Sequence, residues 1–136
     1  MGASSVKVSV KSHQDEITES IKDAIETALT EIGLVAQRYA SESCPVKTGR
    51  LAGSITYATK KEKSDVRPPK DGEANPSDGV SQKQVQDKYT VVIGSNVEYA
   101  EIMELKHATN NRFLTKAANG HRKEYGEILQ RYIDQV

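Results

Sequence analysis

The stretch "CPVKTGRL", residues 44–51, decides how the rest of the chain is read, because it marks the corner between two kinds of hydrophobic period. Upstream, Ile17, Ile21, Ile25, Leu29 and Ile32 recur at three- and four-residue steps, with Ala24, Ala28, Val35, Ala36 and Tyr39 filling the same stripe. That pattern predicts a long amphipathic helix over 13–43, capped by Ser12 with Asp15 and stopped by Pro45, which pushes residue 44 out of the helical region. The stripe suits packing on the protein's own sheet, and its spacing would also suit a partner helix. Pro45, Thr48, Gly49 and Leu51 form the structural corner. Pro45 ends the helix, Thr48 bonds locally, Gly49 supplies a backbone conformation that other residues resist, and Leu51 is delivered inward while Arg50 points outward.

Downstream the period is two. Leu51, Ile55 and Tyr57 alternate with smaller residues, predicting a strand over 49–60, and Tyr89, Val91 and Ile93 predict another over 85–95, ended by Gly94. With no crossover helix between them, the two strands are expected to pair antiparallel. Near the start, Val6, Val8 and Val10 alternate with Lys7, Ser9 and Lys11, predicting an edge strand over 5–11.

The joining stretch, residues 61–84, holds three of the four prolines and two sizeable aliphatics, Val66 and Val80. Such a composition does not fold alone, which predicts an extended mobile arm or a tolerated surface insertion. The chain closes with a short helix or turn over 97–106 and a C-terminal helix over 111–134, interrupted around Asn119-Gly120. The expected fold class is α+β: a single domain over 1–136 in which a small antiparallel sheet of about three strands packs against the long N-terminal helix.

Composition narrows the function. The 136 residues carry 19 basic and 19 acidic side chains, so no global field draws the chain to nucleic acid or membrane. No apolar run approaches the ~20 residues of a membrane span, and the first eleven residues carry no secretory core. The single cysteine, Cys44, excludes an internal disulfide, and no activating His or Asp accompanies it. Glu104 and His107 stand three apart, but one such pair does not make a metal site, and His13 and His121 have no ligand spacing. No phosphate loop, nucleophile elbow or zinc spacing occurs. The chain reads as a non-enzyme without cofactor, metal or catalytic residues. Lys60, Lys61, Lys63, Arg67 and Lys70 form a loose basic cluster without stacking aromatics, which supports a second reading as a small nucleic-acid-binding or regulatory domain.

Three segments then fall in one order: "CPVKTGRLAGSI" after a long helix, "VVIGSNVEYAEIMEL" some forty residues on, and "NRFLTKA" opening the last helix. Together they resemble the neck and tail-completion family of long-tailed bacteriophages and prophages, whose members typically read P-V-[KD]-T-G-x-L-x-x-S-I, then V-G-[ST]-x-V-x-Y-A-x-x-x-E-x-G-T, then P-x-F-L-x-P-A. The chain departs from that pattern at Leu105-Lys106-His107 and at Lys116, where the family has a Gly-Thr turn and a proline. The resemblance implies a structural virion protein of the head–tail junction, made in the host cytoplasm and acting in neck assembly as a homo-oligomeric ring of six or twelve copies. Its implied partners are head-closure or portal-side proteins and tail-terminator or tail-tube proteins, with genomic DNA only as a passing contact and no membrane. Arg50, Glu98, Tyr99, Glu101, Arg112 and Phe113 are the candidate interface residues.

Overall fold

The computed structural model describes residues 4–10, 18–44, 49–106 and 112–136. Strand β1 (Ser4–Ser9) is followed by helix α1 (Glu19–Ser43), a single helical turn α2 (Arg50–Ser54), strand β2 (Thr56–Ala58), strand β3 (Thr90–Ser95), and helices α3 (Ala100–Lys106), α4 (Phe113–Asn119) and α5 (Arg122–Asp134). The fold is α+β. Its three strands lie in the order β1-β3-β2, both pairings antiparallel, so the two segments flanking the long loop are neighbours as their pattern predicts.

Helix α1 starts at Thr18, whose hydroxyl accepts from the Ile21 amide at 3.3 Å. The predicted Ser12–Asp15 cap lies outside the described residues. One face of α1 buries Ile25, Ala28, Leu29, Ile32, Ala36 and Ala40 against Ile55, Tyr57, Val91 and Ile93 of the sheet layer. Gly33 lets the helix approach this closely. A Cβ there would lie 2.8 Å from the Tyr57 ring and 2.9 Å from a Val91 methyl.

The strand expectations need a first correction. The predicted strand over 49–60 begins instead as a helical turn, because Gly49 adopts φ 84° and its carbonyl accepts from the Gly53 amide at 2.8 Å. Ala52 and Gly53 have weak strand propensity, and one helical turn is too short for periodicity to distinguish. Likewise, the predicted strand over 85–95 pairs only from Thr90.

The second correction concerns residues 61–84, which pack back across the sheet rather than standing off as an arm. Val80 and Val85 form a small core with Ala58 and Val92 on the face opposite α1. Without them that face would leave two apolar side chains in water. Two short 3₁₀ turns, Pro76–Asp78 and Gln82–Gln84, shape the segment, the second closed by a reciprocal Ser81–Gln84 capping box. Arg67 turns inward and donates to the Ser41 hydroxyl at 2.9 Å and to the carbonyls of Ala52 and Ile55 at 2.9 and 3.1 Å. Ser64 donates its amide to the Tyr57 carbonyl at 3.0 Å and so occupies the outer edge of β2.

The predicted C-terminal helix is broken at Gly120 into α4 and α5. Helix α5 lies along α1, where Tyr132 donates to Glu31 at 2.7 Å, Arg131 pairs with the same carboxylate, and Tyr39 stacks on His121 with ring centroids 3.6 Å apart. The Tyr132 hydroxyl, with Arg131, holds the Glu31 carboxyl below its usual range. Glu104, buried to 3% exposure, accepts from the Leu114 amide at 2.7 Å and the Thr115 hydroxyl at 2.6 Å, closing the N-terminus of α4. His107, the other half of the predicted pair, lies outside the described residues.

Two glycines separate packing from propensity. Gly33→Ala is expected to destabilise the protein by about 1 kcal/mol or more despite the better helix former, because overpacking against Tyr57 and Val91 outweighs it. Gly126 in α5 has nothing within 4 Å of a built Cβ, so Gly126→Ala is expected to stabilise by about 1 kcal/mol. Urea titrations of both variants measure the signs. Glu104→Ala orphans the buried Leu114 amide and the half-buried Thr115 hydroxyl and is expected to cost about 1–3 kcal/mol in the same assay.

Candidate functional site

The corner and the lead-in to α3 meet at one end of the sheet. Leu51 turns into the main core, with 4% exposure, and its neighbour Arg50 faces the other way, across the end of β3. The Ser54 hydroxyl, which also donates to the Leu51 carbonyl, lies 2.6 Å from that of Ser95, tying α2 to the last residue of β3. The chain then turns through Val97, whose amide donates to the Ser95 hydroxyl at 3.0 Å, and presents Glu98 and Tyr99 beside Arg50.

Arg50 bridges two carboxylates. Its Nε and Nη2 donate to Asp78 at 3.1 Å each, and Nη1 and Nη2 donate to Glu98 at 2.9 and 3.0 Å. The guanidinium carbon stands 5.7 Å from the centre of the Tyr99 ring. A planar fork with five donors suits this double grip, whereas a lysine ammonium could not make a bidentate pair with each carboxylate. Hydrogen bonding to Asp78, then to Glu98, pushes the Arg50 pKa above its ordinary range, and the Arg50 hydrogen bond holds Glu98 below its own. The Asp78 side chain is 10% exposed and the Glu98 side chain 68%, so one arm of the clamp is structural and the other sits in solvent. The clamp joins three segments distant in sequence: the corner, the segment covering the second face, and the approach to α3.

Of the candidate interface residues, Arg50, Glu98 and Tyr99 therefore come together, and Glu101 follows on the first turn of α3. Arg112 stands at the start of α4 with φ 48°, an uncommon conformation for a residue with a side chain. Phe113 is fully buried in the core, so its place among surface contacts is corrected: an aromatic at the first position of α4 fills the space under the sheet. Pro45 and Thr48 lie outside the described residues. Sequence reasoning missed Asp78, which sits 28 residues from Arg50 in a stretch with no periodic signal.

Cys44 is buried, and that burial pushes its thiol up to about 12, which keeps it protonated at neutral pH. Among the described residues no three His, Cys, Asp or Glu side chains are grouped to hold a metal, and no helix is long and apolar enough to cross a membrane. Of the basic cluster at 60–70, Lys61 is paired with Glu26 at 2.5 Å and Arg67 is turned inward.

Removing the clamp has two measurable effects. Arg50→Ala leaves Asp78 buried without its cation and is expected to cost about 1–2 kcal/mol, the partial exposure of the arginine moderating the loss. Because Glu98 is depressed in the folded state, its contribution is present above its ordinary 4.5 and fades as pH falls below that value. Urea midpoints measured from pH 7 to pH 3 are therefore expected to fall less steeply in Arg50→Ala than in the wild type.

The chain matches the model of the HK97-gp10-like family, described as "Bacteriophage HK97-gp10, putative tail-component", over residues 9–105. The matched span runs from the end of β1 through the corner, the clamp and α3, and stops before α4. No curated protein and no solved structure matches the chain. A match over well over half of the 136 residues, centred on the clamped corner, makes this chain a member of the HK97-gp10-like family of bacteriophage tail components.

Proposed function

We propose that the protein is a structural virion component of the head–tail junction, acting in neck assembly and tail completion as a ring of identical subunits. The observation that carries this reading is the family match over the corner and α3, the region that Arg50 fastens to the sheet. The clamp fixes the approach to a short helix at the end of the sheet, and a preorganised element of this kind suits docking. Helix α3 leaves Ile102 and Leu105 in solvent at 38% and 42% exposure. Exposed aliphatics on a fixed helix suit a partner surface.

In this reading the neighbours in the particle are further copies of the chain, a head-closure or portal-side protein above and a tail-terminator or tail-tube protein below. A closed ring forms when one patch of each subunit meets a different patch on the next. The alternative reading, a nucleic-acid-binding domain built on residues 60–70, loses two of its five cations to contacts within the chain.

Deletion of the coding sequence from the phage or prophage, followed by induction and electron microscopy of the lysate, tests the role. Filled heads and finished tails that fail to join, restored by expression of the protein from a plasmid, are the expected outcome. Normal infectious particles from the deletion strain would overturn it.

A further inference from the structure

The two ends of the sheet carry opposite surfaces. At the start of β3 a cavity of about 280 Å³ opens between α1, the end of β2 and the turn into β3. Tyr89 forms an apolar wall above the buried Leu29, and Lys22, Lys60, Lys61 and Lys88 stand around it, with Glu26 in the lining and Glu19 and Asp23 close by. Lys61 is taken up by Glu26 and Lys22 by Glu19, whereas Lys60 and Lys88 are exposed and have no ion-pair partner among the described residues. Tyr89 holds φ 57°, and its carbonyl receives the Val10 amide at 2.8 Å, so the wall that it forms is fixed by the sheet.

At the other end of β3, roughly 17 Å away at the usual rise per residue, stands α3. Glu101 stands on the first turn of α3 ahead of the exposed Ile102 and Leu105, and Glu98 lies two residues before the helix in the grip of Arg50. Arg50 is occupied by Asp78 and Glu98, so the acids at this end outnumber the cation that serves them. The chain as a whole is neutral, and the separation of charge between the two ends is therefore local.

We infer that the α3 end of one copy docks at the lysine-rimmed cavity of the next, Ile102 and Leu105 against the Tyr89 wall, with Glu101 and Glu98 facing Lys60 and Lys88. The occupant is a second copy of this chain because both halves of the contact are present on it, matched in polarity and charge and placed at opposite ends of one rigid sheet. A patch that meets a different patch cannot close as a simple two-fold dimer; it propagates head to tail and closes only as a ring. The inference rests on the ring reading given above and identifies which surfaces make it.

Paired charge reversal tests it. One variant carries Lys60→Glu with Lys88→Glu, and the other carries Glu98→Lys with Glu101→Lys; thermal melts establish that each full-length chain is folded. Sedimentation velocity at rising concentration is expected to show self-association of each variant weakened on the order of ten-fold or more, because like charges now face one another. An equimolar mixture is expected to associate as the wild type does, since every contact between unlike variants is complementary again, and wild-type association is expected to weaken in ~0.5 M salt. Mutual rescue supports the inference. Wild-type association that neither variant weakens, variants that fail to rescue each other, or loss of duplex DNA binding in the lysine variant with association intact would each overturn this interface while leaving the ring reading in place. A wild-type chain that stays monomeric both in concentrated solution and in cross-linked particles would overturn the ring reading and this interface together.

Discussion

Strand β3 is apolar on both of its faces, and the rest of the molecule is arranged to keep both faces dry. Val91 and Ile93 look toward α1, Val92 looks the other way, and all six residues of the strand are buried. A three-stranded sheet with one covered face would leave Val92 and Ala58 in water. The long segment between β2 and β3 meets that demand with only Val80 and Val85, and it is held further by hydrogen bonds from Arg67 to the Ile55 carbonyl, from the Val80 amide to the Thr56 hydroxyl and from Asn96 to the Gly79 carbonyl. This is why a stretch so poor in aliphatic residues still has a defined path.

The clamp at Arg50 follows from the same arrangement. Once the covering segment lies across the sheet, Asp78 arrives beside the corner, and a guanidinium there can hold it and Glu98 at once. The covering layer and α3 are thereby fastened to a common point. Glu104 repeats the strategy one step later, joining the end of α3 to the start of α4 through a carboxylate that receives two hydrogen bonds.

Much of this could be read from the chain. The α1 stripe from Ile21 to Tyr39 is long enough that its period marks a helix, and the alternation around Val91 and Ile93 identified a strand and its antiparallel neighbour, though not its central place in the sheet. The turn at 50–54 escaped because five residues carry too little period to separate a helical turn from a strand, especially where two of them are Ala52 and Gly53. The path of residues 61–84 escaped for a different reason: its order depends on Val85, which alternation assigned to a strand, and on Arg67 and Asp78, whose partners lie 12 to 28 residues away. Phe113 was misplaced because an aromatic at a helix start looks alike in sequence whether it faces a neighbour or the core. Long-range polar pairing leaves no periodic trace, so the candidate interface was legible as a set of charged residues but not as a clamp.

The burial of Cys44 carries a practical consequence. With its thiol held neutral in the core at ordinary pH, the protein offers no reactive sulfur of its own to a maleimide or a disulfide-forming probe. A cysteine introduced on the surface would therefore be the sole labelling point of this chain, and a pair of introduced cysteines carrying fluorophores or spin labels would report one defined distance within it.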